Sequence, residues 1–199
     1  MTSINKQQSP TKLISASELI NRKIDDMPTL INPILPKVGL VAFAGSSDTG
    51  KSMLARQLCI HVVSGEEYFL GFRINATHGK AIYVSTEDDE NAIAYLLRKQ
   101  NAEGRYPPEK LINLNYLFEF ENLIEQLDEV LSKEKADVVV IDVLSDLTGG
   151  IHQGDSSGFR SFLRPYNQLA QKHQCLILFL HHTGKKTEMN EPSKNNLLG

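Results

Sequence analysis

The hydrophobic positions from Val38 onward follow two alternating patterns. Short runs that are apolar almost throughout have the length of buried strands. Segments between them carry apolar residues three or four positions apart, which is typical of helices with one buried face. Because strands without polar alternation need cover on both faces, the pattern predicts a parallel sheet between helices, and hence an α/β fold. The four clearest runs are "VGLVAFA", "KAIYVST", "ADVVVIDV" and "CLILFLHH".

The segments between these runs predict four helices and one more strand. The first helix runs from about Lys51 to Val63, the second is "ENAIAYLLRKQ", and "KLINLNYL" is a further strand. The remaining two helices are indicated by apolar stripes at helical spacing, and the last of them is expected to begin near Asp155 or Ser156. These stripes are Leu123, Leu127, Val130 and Leu131, and Phe159, Phe162, Leu163, Tyr166, Leu169 and Ala170.

The first 37 residues have a different character. "ISASELINRKI" predicts a short helix with Ser15 or Ser17 as its cap, and "MPTLINPILPK" carries three prolines that favour an extended, irregular arm. We therefore divide the chain into an N-terminal arm, residues 1–37, and a core, residues 38–199. The arm is a candidate for contact with a neighbouring subunit.

Charge and composition exclude little. The net charge of −3 gives no global attraction to nucleic acid or to an anionic membrane. The two cysteines, Cys59 and Cys175, lie in apolar runs without metal-ligand spacing and are interpreted as buried thiols. We find neither a signal-peptide pattern nor an apolar run of membrane-spanning length, so we expect a cytoplasmic protein with no membrane partner.

The turn after "VGLVAFA" matches the phosphate-loop pattern G-x-x-x-x-G-K-[S/T] between a strand and a helix. In such a loop, backbone N–H groups surround the phosphates, Lys51 reaches the β- and γ-phosphates, and the Ser52 hydroxyl binds Mg²⁺. The expected cofactors are therefore ATP and Mg²⁺. The candidate nucleotide-binding residues are Gly45, Ser46, Ser47, Asp48, Thr49, Gly50, Lys51, Ser52 and Met53.

Asp48 is an unusual residue in a loop that binds polyanions. Since the cradle uses main-chain N–H groups, its side chain can point outward to water. Many related loops have glycine at this position, which indicates a backbone with positive φ, and Asp is among the few other residues that tolerate that region. We therefore expect a left-handed, solvated Asp48.

Three more motifs end predicted strands with polar residues. Asp142 is the candidate Mg²⁺-associated acid, with Asp146 as a weaker competitor interpreted as loop structure. Glu87 is the candidate base that orients water for hydrolysis. Residues 88–90 (Asp, Asp and Glu) are interpreted mainly as a cap on the following helix.

The fifth strand ends in "HHTGKK". Neighbouring strand residues point to opposite faces, so His181 and His182 are not expected to serve one metal. A polar γ-phosphate sensor is expected among His181, His182 and Lys185. The catalytic candidates are thus Glu87, Lys51 and His182.

This set of motifs resembles the RecA-like P-loop ATPases of the AAA type, including the hexameric replicative helicase of mobilisable plasmids. The resemblance extends from about Leu30 to Lys186. It implies a RecA-like three-layer αβα sandwich whose His-bearing strand lies between the P-loop strand and the Asp142 strand, with the Glu87 strand beyond. It also implies homo-oligomers, with hexameric rings among them, in which a neighbour's arginine completes the ATP site.

The resemblance further implies DNA as a partner and helicase-type work in replication or mobilisation of a plasmid or mobile element. Such proteins continue with more strands, so a core without its C-terminal strands is expected. The glycine-rich stretch "GGIHQGDSSG" is either a substrate-facing loop or an ordinary connection. Two other function classes stay open: a P-loop kinase, and an ATP-switched regulator or assembly factor.

Overall fold

The computed structural model describes residues 13–24, 26–149 and 156–183. Nine strands and seven helices follow one another in these parts of the chain. The strands are β1 (Thr29–Asn32), β2 (Leu35–Pro36), β3 (Gly39–Gly45), β4 (Tyr68–Phe69), β5 (Phe72–Ile74), β6 (Ala81–Ser85), β7 (Leu114–Leu117), β8 (Val138–Asp142) and β9 (Leu176–His182). The helices are α1 (Ala16–Ile20), α2 (Lys51–Ser64), α3 (Glu90–Gln100), α4 (Pro108–Leu111), α5 (Leu123–Lys133), α6 (Leu144–Leu147) and α7 (Ser156–His173).

Five of the strands form one parallel sheet in the order β3-β9-β8-β6-β7. This confirms the predicted α/β class and the predicted position of the His-bearing strand between the P-loop strand and the Asp142 strand. All residues of β6 and β8 are buried, as the lack of polar alternation indicated. Consequently the strand ends that carry the candidate motifs meet at one edge of the sheet.

Helices cover both faces of this sheet and make three layers. On one face, α2 packs over the side chains of Tyr83, Val138 and Val140. On the other face, α5 and α7 contribute Leu127 and Leu169 to a second apolar cluster. Because successive strand residues point to opposite faces, each strand supplies both clusters.

A second, antiparallel sheet has the order β2-β1-β5-β4. The prolines had predicted an extended, irregular arm over residues 27–37, whereas the structure has paired strands there. Leu30 and Ile31 of β1 are almost fully buried and belong to the cluster under α2. The burial of these two side chains explains why the segment is ordered despite its prolines. The division of the chain at residue 37 stays a prediction.

One local prediction needs adjustment and two are confirmed. "KLINLNYL" was predicted as one strand, but its first residues end α4 and only Leu114–Leu117 pair in the sheet. Ser15 does cap α1, since its hydroxyl accepts a hydrogen bond from the Glu18 N–H at 3.1 Å. Cys59 and Cys175 are both buried, and burial raises the pKa of the Cys59 thiol to about 12 and that of Cys175 to about 11.

Within the described residues, no helix combines the length and apolarity needed to cross a membrane.

One buried acid holds the loop that leads into β6. The Asp137 carboxylate, 4% exposed, accepts backbone N–H bonds from Thr77 (2.6 Å), His78 (2.9 Å) and Gly79 (2.7 Å). We expect Asp137→Ala to lower the free energy of unfolding by about 2–4 kcal/mol, because three donors lose their acceptor together. Urea unfolding measures the change. The control is Glu134→Ala, which removes an exposed carboxylate paired with Lys80 and should change stability by less than about 0.5 kcal/mol. Equal losses in the two variants would contradict the role of Asp137.

Candidate functional site

The candidate site lies where β3, β9, β8 and β6 end. The register places Gly45 opposite His182 and Ser85 opposite Asp142. The Thr183 N–H also donates to the Gly45 carbonyl at 3.1 Å, which continues the pairing past the end of β9. Residues far apart in the sequence therefore converge on one edge, as the strand order implies.

The P-loop joins β3 to α2 through two residues with positive φ. Gly50, at φ 81°, stands directly before the first turn of α2, and Asp48 has φ 61°. Asp48 is also exposed to solvent. The structure thus confirms both features predicted for Asp48, a left-handed backbone and a solvated carboxylate.

Lys51 lies folded against its own loop and is almost completely buried. Its ammonium donates to the carbonyls of Gly45 (2.9 Å) and Ser46 (2.5 Å), with the Thr49 hydroxyl at 3.4 Å. Burial lowers the pKa of Lys51, and the negative charges of Asp142, Asp48 and Glu87 act in the opposite direction. The ammonium therefore lies near the carboxylates of the site, while its described hydrogen bonds all go to oxygens of its own loop. A bound phosphate would compete with those loop oxygens for the ammonium.

Asp142 ends β8 and is 6% exposed. The Tyr83 hydroxyl donates to its Oδ2 at 2.6 Å, while Oδ1 has no hydrogen-bond partner among the residues that the structure describes. Burial raises the pKa of Tyr83 well above its usual value, and the negative charge of the nearby Asp142 raises it further. The phenol therefore keeps its proton. Tyr83 was not among the predicted site residues; the available signal was a phenol hydroxyl in the middle of an apolar run.

The pair Ser52 and Asp142 fits a hydrated Mg²⁺. A buried carboxylate with one uncommitted oxygen suits a divalent cation that keeps part of its water shell. Mg²⁺ in such loops also takes a hydroxyl and phosphate oxygens, so it needs no cage of acids. Consistent with this, no group of three or more His, Cys, Asp or Glu side chains in the described parts of the chain could hold a metal by itself.

Glu87 follows β6 and keeps its side chain exposed, at 54% of its surface. Its Oε2 lies 3.7 Å from Nε2 of His182. Alternation along β9 places His182 on the same face as Leu178 and Leu180, which pack under α2. The structure therefore brings together Glu87, His182 and the P-loop.

His181 lies on the opposite face of β9 by the same alternation, as predicted. Its two ring nitrogens are buried and have no hydrogen-bond partner within the described residues. Burial lowers the pKa of His181, and the positive charges of His182 and Lys51 lower it further, so its imidazole is neutral at pH 7. Lys185, the third sensor candidate, lies outside the described residues, as do residues 150–155 of the glycine-rich stretch.

Thr86 ties the ends of β6 and β8 together. Its N–H donates to the Asp142 carbonyl at 2.8 Å, and its hydroxyl accepts from the Val143 N–H at 2.9 Å. The same hydroxyl lies 2.5 Å from Oδ2 of Asp146. Asp146 was interpreted as loop structure, but it lies in the short helix α6, where this contact gives it a structural role. We call these contacts the Thr86 clasp. The clasp fixes the backbone between the two acids, because Glu87 follows Thr86 directly.

Of the three acidic residues after Glu87, Asp89 and Glu90 serve α3 as predicted, whereas the described contact of Asp88 is with Ser85. Asp89 is the N-cap, and its carboxylate accepts a hydrogen bond from the Ala92 N–H at 2.8 Å. The Asp88 carbonyl accepts a hydrogen bond from the Ser85 hydroxyl at 2.8 Å. Glu90 lies in the first turn, where a carboxylate interacts favourably with the helix dipole.

A family model described as an AAA domain matches residues 7–188. The chain belongs to the AAA domain family. Membership of this family indicates nucleotide binding and ATPase activity, with ATP and Mg²⁺ as the ligands that AAA domains generally take. It confirms the sequence-based resemblance at the level of AAA-type P-loop ATPases. A comparison with curated proteins found no significant match.

The P-loop of this AAA domain can be tested at Asp48. We expect Asp48→Gly to bind ATP as tightly as the wild type or a few-fold more tightly, because glycine relaxes the positive φ and removes a negative charge near the phosphates. Titration with a fluorescent ATP analogue measures the affinity.

Asp48→Ala is the matched control, since it removes the same charge but is strained at φ 61° by about 1 kcal/mol. It should therefore melt at a lower temperature than Asp48→Gly. A large loss of affinity in Asp48→Gly would show that the carboxylate itself contributes to binding.

Proposed function

We propose that this chain is the ATP-hydrolysing core of a RecA-like motor that acts on DNA in the cytoplasm, in replication or mobilisation of a plasmid or mobile element. The observation that carries the hydrolytic part is the placement of Glu87. Its exposed carboxylate stands at the same edge as the P-loop and 3.7 Å from His182. The other acid, Asp142, is buried and held by Tyr83.

The two acids thus have environments suited to different tasks. The buried Asp142, with Ser52, would hold Mg²⁺, which neutralises phosphate charge when it is bound with ATP. The exposed Glu87 can reach a water molecule and accept its proton as that water attacks the γ-phosphate. Different environments for two carboxylates at one site are a common way to separate such roles.

The remaining residues bind and orient the nucleotide. The N–H groups of residues 45–53 would surround the phosphates, with the Lys51 ammonium moving from its carbonyl partners to the phosphate oxygens. His182, in reach of both the loop and Glu87, is the proposed γ-phosphate sensor, with His181 and Lys185 as further members of the group. Loss of the γ-phosphate would change the contacts of His182, and this change would distinguish the ATP-bound from the ADP-bound site.

The DNA partner and the ring rest on the resemblance of the motif set to hexameric replicative helicases. Strand order supports a RecA-like core, since the order β3-β9-β8-β6 of the four motif-bearing strands is the one that the resemblance implies. A ring would place ATP between subunits, with an arginine from the neighbour completing the site. The N-terminal arm, residues 1–37, is a candidate subunit contact in such a ring.

Phosphate release with and without single-stranded DNA tests this proposal, with the oligomeric state measured by light scattering on the same sample. We expect low basal hydrolysis that DNA stimulates, together with oligomers in the presence of ATP. Lys51→Ala is the control for contaminating ATPases. Phosphate transferred to an added acceptor would instead establish a kinase, and nucleotide-dependent oligomers without turnover would establish a switch.

A further inference from the structure

The hydrogen bond between Tyr83 and Asp142 joins two buried side chains. Tyr83 is 0% exposed and Asp142 is 6% exposed. The bond length of 2.6 Å is in the range of a hydroxyl that donates to an ionised carboxylate. A contact of this kind is strong because water does not compete for either partner.

The sheet register explains how the two side chains meet. Tyr83 pairs with Val140, and Ser85 pairs with Asp142, so Tyr83 lies diagonally across from Asp142 on the adjacent strand. Both point to the α2 face, because Tyr83 and Val140 belong to the cluster under that helix. A diagonal neighbour is within reach of a long aromatic side chain. The Tyr83 hydroxyl also lies 3.5 Å from the backbone carbonyl of Ser52, the other residue of the candidate metal pair.

We propose that Tyr83 is a positioning residue for the Mg²⁺-associated acid: its hydroxyl fixes Oδ2 of Asp142 and leaves Oδ1 for the hydrated cation. This inference rests on the proposed function, and adds to it a residue that neither the motif nor the family assigns. A phenol suits the task because it donates one hydrogen bond without bringing a positive charge. A lysine or arginine in its place would neutralise Asp142 and repel the metal.

Binding of a slowly hydrolysed fluorescent ATP analogue tests the inference without relying on turnover. The Kd is measured once with excess Mg²⁺ and once with EDTA. The ratio of the Kd in EDTA to the Kd in Mg²⁺ reports how much the metal strengthens binding. We expect Tyr83→Phe to reduce this ratio about tenfold, the usual effect of removing a partner of a metal ligand. Binding in EDTA should stay unchanged, since the phosphate contacts of the loop are retained.

Tyr116→Phe is the matched control. Its ring lies 5.3 Å from that of Tyr83, and its buried hydroxyl has no hydrogen-bond partner among the described residues. Both variants keep the ring and lose one buried hydroxyl, so a general packing effect would appear equally in the two. Thermal unfolding of each variant checks that the fold is retained.

A double-mutant cycle with Asp142→Asn separates positioning from any direct role. If Tyr83 acts through Asp142, Tyr83→Phe produces no further loss of Mg²⁺ dependence in the Asp142→Asn background. If the wild type binds the analogue more tightly with Mg²⁺ and Tyr83→Phe shows the same Mg²⁺ dependence, the role of the tyrosine is overturned and the metal site is not. A wild type that binds the analogue equally in Mg²⁺ and EDTA overturns the proposed metal site itself.

Discussion

Replacing Glu87 with glutamine is expected to slow ATP hydrolysis by at least about a hundredfold, which is the usual contribution of a positioned general base. The amide keeps the size of the carboxylate but cannot accept a proton from the attacking water. Nucleotide affinity should stay close to that of the wild type, because the phosphate contacts come from the P-loop. Single-turnover phosphate release with bound ATP measures the effect and separates it from binding.

The neighbouring acid provides the control for this variant. Asp88→Asn makes the same chemical change one residue further on, where the described contact is the backbone carbonyl that accepts the Ser85 hydroxyl. Its hydrolysis rate should stay within about twofold of the wild type, since no described contact connects the half-buried Asp88 carboxylate with the site. Near-normal turnover in Glu87→Gln would remove Glu87 from the mechanism.

Replacing Lys51 with alanine is expected to weaken ATP binding by at least about tenfold, because the bound phosphates lose a charge-assisted hydrogen bond. The same variant should have no measurable hydrolysis. Isothermal titration calorimetry with ATP and Mg²⁺ measures the affinity. The carbonyls of Gly45 and Ser46 each lose one donor and keep another, the Thr183 N–H and the Thr49 hydroxyl respectively. Circular dichroism checks that the loop change leaves the fold intact.

Lys99→Ala is the corresponding control on α3. It removes an equal charge from the exposed side of a helix in the same domain. Its ATP affinity should match that of the wild type at physiological salt, where exposed charges are screened within about 8 Å. An unchanged affinity in Lys51→Ala would argue against the phosphate-loop assignment.

The parallel sheet could be predicted because its strands are apolar without alternation. The runs "ADVVVIDV" and "CLILFLHH" predict strands that are buried on both faces, and the structure has β8 and β9 there. The strand order needed more than periodicity, since nothing in a single run says which neighbour it pairs with. That information came from the resemblance of the motifs and was confirmed by the pairing in the structure.

The small antiparallel sheet could not be predicted in the same way. Its strands have between two and four residues, which is too short for a period to show. It also pairs β1 with β5, Ile31 opposite Ile74 and Asn32 opposite Arg73, and these two strands lie on either side of the P-loop and α2 in the sequence. Local propensity, dominated by the prolines, favoured an irregular arm. Burial of Leu30 and Ile31 outweighed that preference.

At the candidate site, the sequence predicted the residues with a motif and missed those that depend on register. Lys51, Asp142 and Glu87 follow from the order of strand, turn and polar residue. Tyr83 and Thr86 look like ordinary strand residues, because tyrosine and threonine are favoured in sheets. Their contacts exist only once β6 and β8 are aligned.

The Thr86 clasp has a consequence for precision. Glu87 follows Thr86 in the chain, and Thr86 is hydrogen-bonded to the backbone of Asp142 and Val143. A single residue therefore connects the backbone of one acid to that of the other. The hydrogen bonds of the clasp therefore oppose a displacement of one of these backbones relative to the other. The backbone separation of Glu87 and Asp142 is thus restrained twice, by the ladder that pairs Ser85 with Asp142 and by the hydrogen bonds of a single threonine beyond it.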